Sequence, residues 1–125
     1  MSARILVADD DADILALVQV VLQSAGYDVV AANDGARALE AALAERPSLC
    51  VLDVMMPELD GLEVTRRLRA TEGLETLPII LLTARVADAD VSEGYEAGAT
   101  EYLHKPFSPQ ELRDRVAAAL GATSG

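Results

Sequence analysis

Short apolar runs alternate with amphipathic stretches along this chain, five times over. The first run, Ile5 to Ala8, stops at three consecutive acids, Asp9, Asp10 and Asp11. Ile14, Leu15, Leu17, Val18, Val21 and Leu22 then recur at three- and four-residue spacing, with Ala25 closing the pattern. That spacing predicts a helix with one apolar face. Asp11 suits its N-cap, and Gly26 suits the position just past its end. Asp28 to Ala32 reads as a second strand, followed by a break at Asn33-Asp34-Gly35. Ala36, Leu39, Ala42 and Leu43 mark a second helix that ends before Pro47. Leu49 to Leu52 runs without interruption into Asp53, as in a strand buried on both faces. Pro57 cannot continue a ladder, and Asp60-Gly61 favours a tight turn. Asp53 is therefore expected at the carboxyl end of a central strand, where a loop begins.

A third helix is expected from Gly61 to about Ala70, with Leu62 and Leu68 inward and Arg66, Arg67 and Arg69 mostly facing solvent. Pro78 introduces a fourth strand, Ile79 to Leu82, which ends at Thr83-Ala84. A fourth helix from about Val86 to Ala97 stops at Gly98; its poor stripe of Val91, Tyr95 and Ala97 makes it the least stable element expected. Glu101 to Leu103 is the last strand, ending at His104-Lys105-Pro106. Ser108, Pro109 and Glu111 form a capping box that opens a fifth helix. Leu112, Val116, Ala119 and Leu120 form its buried stripe. Residues 1–121 are read as one domain, and 122–125 as a tail or the start of a linker.

Strands alternating with helices define an α/β fold: a doubly wound, five-stranded parallel sheet with five helices. Right-handed crossovers favour the flavodoxin-like order 2-1-3-4-5, with its switch point between strands one and three. The composition is 51% hydrophobic but only 3% aromatic, so the core is aliphatic. The single cysteine, Cys50, lies mid-strand and reads as a small core residue; no internal disulfide is possible. No signal peptide or membrane span is visible, and a cytoplasmic location is expected. The net charge of −11 argues against nucleic-acid binding by this domain and suits divalent cations and basic partner surfaces.

At the carboxyl ends of four strands stand Asp9 and Asp10, Asp53, Thr83 and Lys105. The 2-1-3-4-5 order brings the three acids to one cleft. At ~5 Å and an effective dielectric of ~20, each acid pair costs about 3 kcal/mol, serious against a total stability of ~5–15 kcal/mol. Lys105 can neutralise one charge. All-oxygen ligands in an open cleft suit Mg²⁺, or Mn²⁺. Asp10 and Asp53, with a backbone carbonyl just after Asp53, are the expected ligands. A carboxylate beside such a metal is also a nucleophile for phosphoryl transfer, with Lys105, Thr83 and the metal meeting the phosphoryl oxygens. Singly, each residue has a plainer reading: Asp53 as a loop acid or cap, Asp9 to Asp11 as one cap plus solvated acids, Thr83 as a strand-end residue, Lys105 as a surface lysine.

Four ordered motifs carry a family resemblance: Ile-Leu-Val-Ala-Asp-Asp-Asp from Ile5, Leu-Asp-Val-Met-Met-Pro-Glu-Leu-Asp-Gly from Leu52, Leu-Leu-Thr-Ala-Arg from Leu81, and Gly-Ala-Thr-Glu-Tyr-Leu-His-Lys-Pro-Phe from Gly98. Together they resemble the receiver domain of bacterial two-component response regulators over nearly the whole chain. The resemblance implies a fold like the chemotaxis response regulator. It also implies that Asp53 accepts a phosphoryl group from a phosphohistidine of a sensor histidine kinase or phosphotransfer protein, or from acetyl phosphate. It further implies that Asp9 and Asp10 form the acidic pocket, Met55 offers its backbone carbonyl to Mg²⁺, and Thr83 and Lys105 contact the phosphoryl group. Tyr102 falls on the switch aromatic, and Lys105-Pro106 on a cis peptide.

Met55 and Arg85 flank the place of an attacking water, and Met55 cannot orient one; slow dephosphorylation, over minutes to hours, is expected. This pair and the segment from Lys105 to Arg115 look most like receivers of winged-helix transcriptional regulators. Those dimerise through the fourth helix, fifth strand and fifth helix, where Glu101 and Arg115 are candidate cross-dimer charges or a plain surface pair. His104 departs from the commoner small or polar residue before the lysine. The chain is expected to catalyse only its own phosphorylation and slow dephosphorylation. Alternatives are a pseudo-receiver that only docks, an aspartyl-phosphate phosphatase, which would need a further acid or cap domain, and a flavin carrier, disfavoured because no strand-end loop is a Gly-rich phosphate cradle.

Overall fold

The computed structural model describes residues 3–84 and 96–124. Five parallel strands, β1 (Arg4–Ala8), β2 (Asp28–Ala32), β3 (Leu49–Asp53), β4 (Ile79–Thr83) and β5 (Glu101–His104), form one sheet in the order β2-β1-β3-β4-β5. This is the flavodoxin-like order the sequence predicts. Four helices are described: α1 (Ala12–Ser24), α2 (Gly35–Glu45), α3 (Gly61–Arg69) and α4 (Pro109–Ser124). The further helix expected over 86–97 lies almost wholly outside the described residues, together with Val91, Tyr95 and Arg85. Its expected end is described: Ala97 is buried, and Gly98 follows at φ 109°.

Alternate strand residues build two cores. Ile5, Val7, Leu49, Val51, Ile80 and Leu82 face α1 and α4, meeting Val18, Leu22, Leu112 and Val116. Leu6, Cys50, Leu52, Ile79 and Leu81 face α2 and α3, meeting Ala38, Ala42, Val64 and Leu68. Every residue of β3 and β4 is buried, as strands covered on both faces require. Burial pushes the Cys50 thiol up to about 12, so it is an inert core residue.

The caps hold as read. Asp11 accepts the N–H groups of Asp13 and Ile14, and Gly26 follows Ala25 at φ 97°. Ser108 and Glu111 exchange side chain-to-backbone bonds. On α2 the buried line is Gly35, Ala38 and Ala42; Leu43 and Ala36, one heptad apart, share the outer side. Three local expectations need correction. Leu17 is 45% exposed and borders an open pocket with Pro106 and Phe107 of the loop after β5, whereas Ile14 and Leu15 pack against the core. Arg69 does not face solvent like Arg66 and Arg67. It turns back to donate to the carbonyls of Gly98 (2.9 Å) and Leu74 (3.2 Å) and to the Thr100 hydroxyl (3.4 Å), tying α3 to the loop before β5. Finally, α4 continues past Gly121 to Ser124, since no proline or capping signal interrupts its ladder. No described helix is long and apolar enough to cross a membrane.

Candidate functional site

β1 ends one residue before Asp9, and β3 ends on Asp53; the two strands are direct neighbours. This adjacency brings Asp9, Asp10 and Asp53 together, with one carboxylate oxygen from each lying within 4.8 Å of the others. Asp9 is wholly buried and Asp53 only 5% exposed, while Asp10 opens to solvent. Asp9 is held from two sides. Its Oδ1 accepts the Asp11 N–H at 2.9 Å, and its Oδ2 accepts from Lys105 Nζ at 3.1 Å. Lys105 Nζ also reaches Asp53 Oδ1 at 3.2 Å, so one ammonium bridges both buried acids.

The backbone that carries Lys105 is held to the neighbouring strand end, its N–H donating to the Thr83 carbonyl at 2.7 Å; the Lys105–Pro106 bond is cis, as the family resemblance implies. Thr83 closes β4 next to Asp53, since Asp53 pairs in register with Leu82. It is buried, and so is Tyr102 on β5. Met55, in the loop just past Asp53, is 57% exposed. The fold thus gathers Asp9, Asp10, Asp53, Thr83 and Lys105 at one edge of the sheet, with Met55 at the rim.

The electrostatics follow from the burial. Desolvation and the nearby Asp9 charge push Asp53 up to about 6, against the pull of Lys105. Burial works against the Lys105 charge, but the hydrogen bond to Asp9 and the charges of Asp53 and Asp9 outweigh it, so its pKa is raised. The donor set is entirely oxygen, and one acid is exposed; this suits a hard cation that keeps some water.

One feature escaped the sequence reading. Ile14, Leu17, Ala84, Pro106 and Phe107 line a shallow apolar pocket of about 350 Å³ directly beside Lys105. Leu17 and Ile14 sit on the same periodic stripe as the core residues of α1, so periodicity alone could not separate them.

A fold with its acids at the switch point and its lysine after the last strand defines a class, and the family comparison agrees. The response regulator receiver domain family matches residues 5–117, and the chain belongs to that family, placing it in two-component phosphorelay signalling. It is 48% identical over 120 residues to the alkaline phosphatase synthesis transcriptional regulatory protein PhoP of Bacillus subtilis (strain 168), covering 96% of this chain and 49% of PhoP. It is 45% identical over 120 residues to the DNA-binding response regulator MtrA of Mycobacterium tuberculosis (strain ATCC 25618 / H37Rv), covering 96% of this chain and 51% of MtrA. The chain therefore spans about half the length of these curated relatives. Among solved structures, the receiver domain of the sensor histidine kinase PA1611 from Pseudomonas aeruginosa PAO1 superposes with a TM-score of 0.90 at 33% identity, covering 97% of this chain and 99% of that one. That structure has a magnesium ion coordinated in its active-site cleft.

Proposed function

We propose that this chain is a Mg²⁺-dependent phosphoacceptor switch with Asp53 as the modified residue. The observation that carries the reading is the Lys105 ammonium set between two buried carboxylates, 3.1 Å from Asp9 and 3.2 Å from Asp53. Such a cation is placed to meet a new phosphoryl oxygen without a large side-chain movement. With its pKa near 6, Asp53 is mostly ionised at neutral pH and ready as the nucleophile. A carboxylate oxygen of Asp53 bonds to phosphorus as the donor's P–N bond, in phosphohistidine, or P–O bond, in acetyl phosphate, breaks. The bonding pair leaves with imidazole or acetate. Lys105 and the Thr83 hydroxyl hold the transferred oxygens.

Asp9, Asp10 and Asp53 would hold the metal with the Met55 carbonyl; the Val54 carbonyl is already engaged by the Gly61 N–H at 2.9 Å. When bound, Mg²⁺ (or Mn²⁺) supplies positive charge to the phosphoryl oxygens. The chain acts on itself only and is no turnover enzyme. With apolar Met55 at the mouth, the acyl phosphate decays over minutes to hours, and a half-life of seconds in Mg²⁺ would refute this part of the reading.

The phosphoryl donor is a sensor histidine kinase or phosphotransfer protein, and the apolar pocket beside Lys105 gives its helices a seat. Phosphorylation adds about −1.5 to −2 charge, which biases Thr83, Tyr102 and the face made by β5 and α4; the fourth helix expected from the sequence lies almost wholly outside the described residues. A homodimer through that face would have to share the Glu101–Arg115 ion pair, which closes within one chain. A cytoplasmic location fits the free thiol of Cys50. The test is intact mass after incubation with acetyl phosphate and Mg²⁺. One added phosphoryl group, lost in Asp53→Asn and in EDTA, is the expected result. No adduct from acetyl phosphate or from a phosphohistidine donor would leave a module that only docks.

A further inference from the structure

Tyr102 and His104 project from the same face of β5, two residues apart. Tyr102 is 6% exposed and belongs to the buried core on one face of the sheet, whereas His104 is exposed. Their ring centroids lie 6.3 Å apart, with the planes tilted by 39°. That is within the range where two rings attract each other beyond simple area burial. The same short stretch is tied to the site at two more points. Thr83 and His104 are register partners in the sheet, and the next N–H, from Lys105, donates to the Thr83 carbonyl at 2.7 Å. The backbone that carries the imidazole is therefore fixed, so His104 has a definite place over its neighbour. β5 is an edge strand. At an edge, a change of χ1 can carry a tyrosine ring from beneath its neighbours out to water. The exposed imidazole is the ring next to Tyr102 on that face.

We propose that His104 is a positioning residue that covers Tyr102 and holds its ring in the buried orientation. Alanine at 104 removes the outer wall and leaves the fold intact, because His104 itself is exposed. Phenylalanine restores a ring without a titratable group. A ring pair of this kind shifts a two-state side chain by about two- to tenfold. The effect on signalling, a change in how readily the Thr83–Tyr102 switch is thrown, rests on the phosphoacceptor reading; the cover itself does not.

The experiment compares the unphosphorylated full chain with His104→Ala and His104→Phe. Each is treated with tetranitromethane, and nitration at Tyr102 is followed by peptide mass relative to Tyr27 in the same sample. Tyr27 packs against the opposite core and reports any general loosening. The proposal expects the Tyr102-to-Tyr27 ratio to rise about two- to tenfold in His104→Ala and to return to the wild-type value in His104→Phe. An unchanged ratio in His104→Ala, or a His104→Phe protein as reactive as His104→Ala, overturns it. Labelling of the wild type by acetyl phosphate runs in parallel. A raised ratio without labelling keeps the cover and removes the phosphoacceptor reading, and labelling with an unchanged ratio does the reverse.

Discussion

Asp53 and Lys105 carry opposite burdens in the metal-free protein. The folded pKa of Asp53, about 6, lies above its ordinary 3.8, so the folded state holds that proton more tightly than the unfolded chain. Stability present below the ordinary value is therefore lost as pH rises through about 6. Asparagine at 53 never ionises. In EDTA at pH ~7.5, Asp53→Asn should unfold in urea with about 1–2 kcal/mol more stability than the wild type, allowing for solvent at the cleft mouth. The gap should close as the pH is brought down toward ~4. An equal gap at both pH values would mean that ionisation of Asp53 is not its source. Lys105 follows the same sign in a far more alkaline window. Its raised pKa means that its contribution is present at all pH values below the ordinary lysine value and is lost only above its folded pKa. Lys105→Met leaves Asp9 facing Asp53 with no cation between them. A loss of about 2–4 kcal/mol is expected at neutral pH in EDTA, partly recovered by added Mg²⁺.

At the scale of elements, the site depends on how closely α2 and α3 start against the loop after β3. A Cβ on Gly61, the first residue of α3, would sit 2.4 Å from the Asp53 carbonyl oxygen. On Gly35, the first residue of α2, it would sit 1.6 Å from that of Leu59. Both obstacles are backbone, which cannot step aside as a flexible side chain can. Gly61→Ala should cost about 1–3 kcal/mol and slow labelling by acetyl phosphate, because relief of the clash moves the strand end that carries Asp53, the proposed nucleophile. Gly121→Ala is the matched control. In α4 its Cβ meets nothing within 4 Å, so a gain of up to ~1 kcal/mol with unchanged labelling is expected. Thermal melts and labelling rates of the two variants side by side would check this; equal losses in both would remove the argument from close approach.

Across the whole molecule, the net charge of −11 and the apolar rim beside Lys105 act at different ranges. Under the proposed function, charge would steer a basic partner surface toward the cleft, and the rim around Leu17 and Phe107 would provide contact once the partner arrives. Val20, 60% exposed one helical turn beyond Leu17, extends that rim along α1. Leu17→Asp with Val20→Asp should cut phosphotransfer from a histidine kinase about tenfold or more, the cost of losing two apolar contacts. Labelling by acetyl phosphate, which needs no such seat, should stay within twofold of the wild type. Parallel loss of both activities would show damage to the cleft instead of to docking.

The order of elements, the two-sided burial of the central strands, the caps at Asp11 and Ser108 and the residues at the strand ends were all legible in the chain. Those features are local: a period, a cap or a run of apolar residues acts within a few positions of itself. Even the meeting of the acids was legible, because right-handed crossovers leave so few ways to order five parallel strands. Which side of an element meets a neighbour depends instead on contacts between residues far apart in the chain. Leu17 and Val18 belong to one apolar pattern, yet Val18 is buried and Leu17 borders an open pocket, since the sheet covers only part of α1. Arg69 reads like its neighbours Arg66 and Arg67, and becomes a tie only because the carbonyls of Gly98 and Leu74 arrive beside it from distant positions. His104 carries no local signal, and its place over Tyr102 exists only once β5 is aligned on β4. The pKa of Asp53 is likewise a property of the assembled cleft, because desolvation and the charges of Asp9 and Lys105 come from strands far apart in the chain.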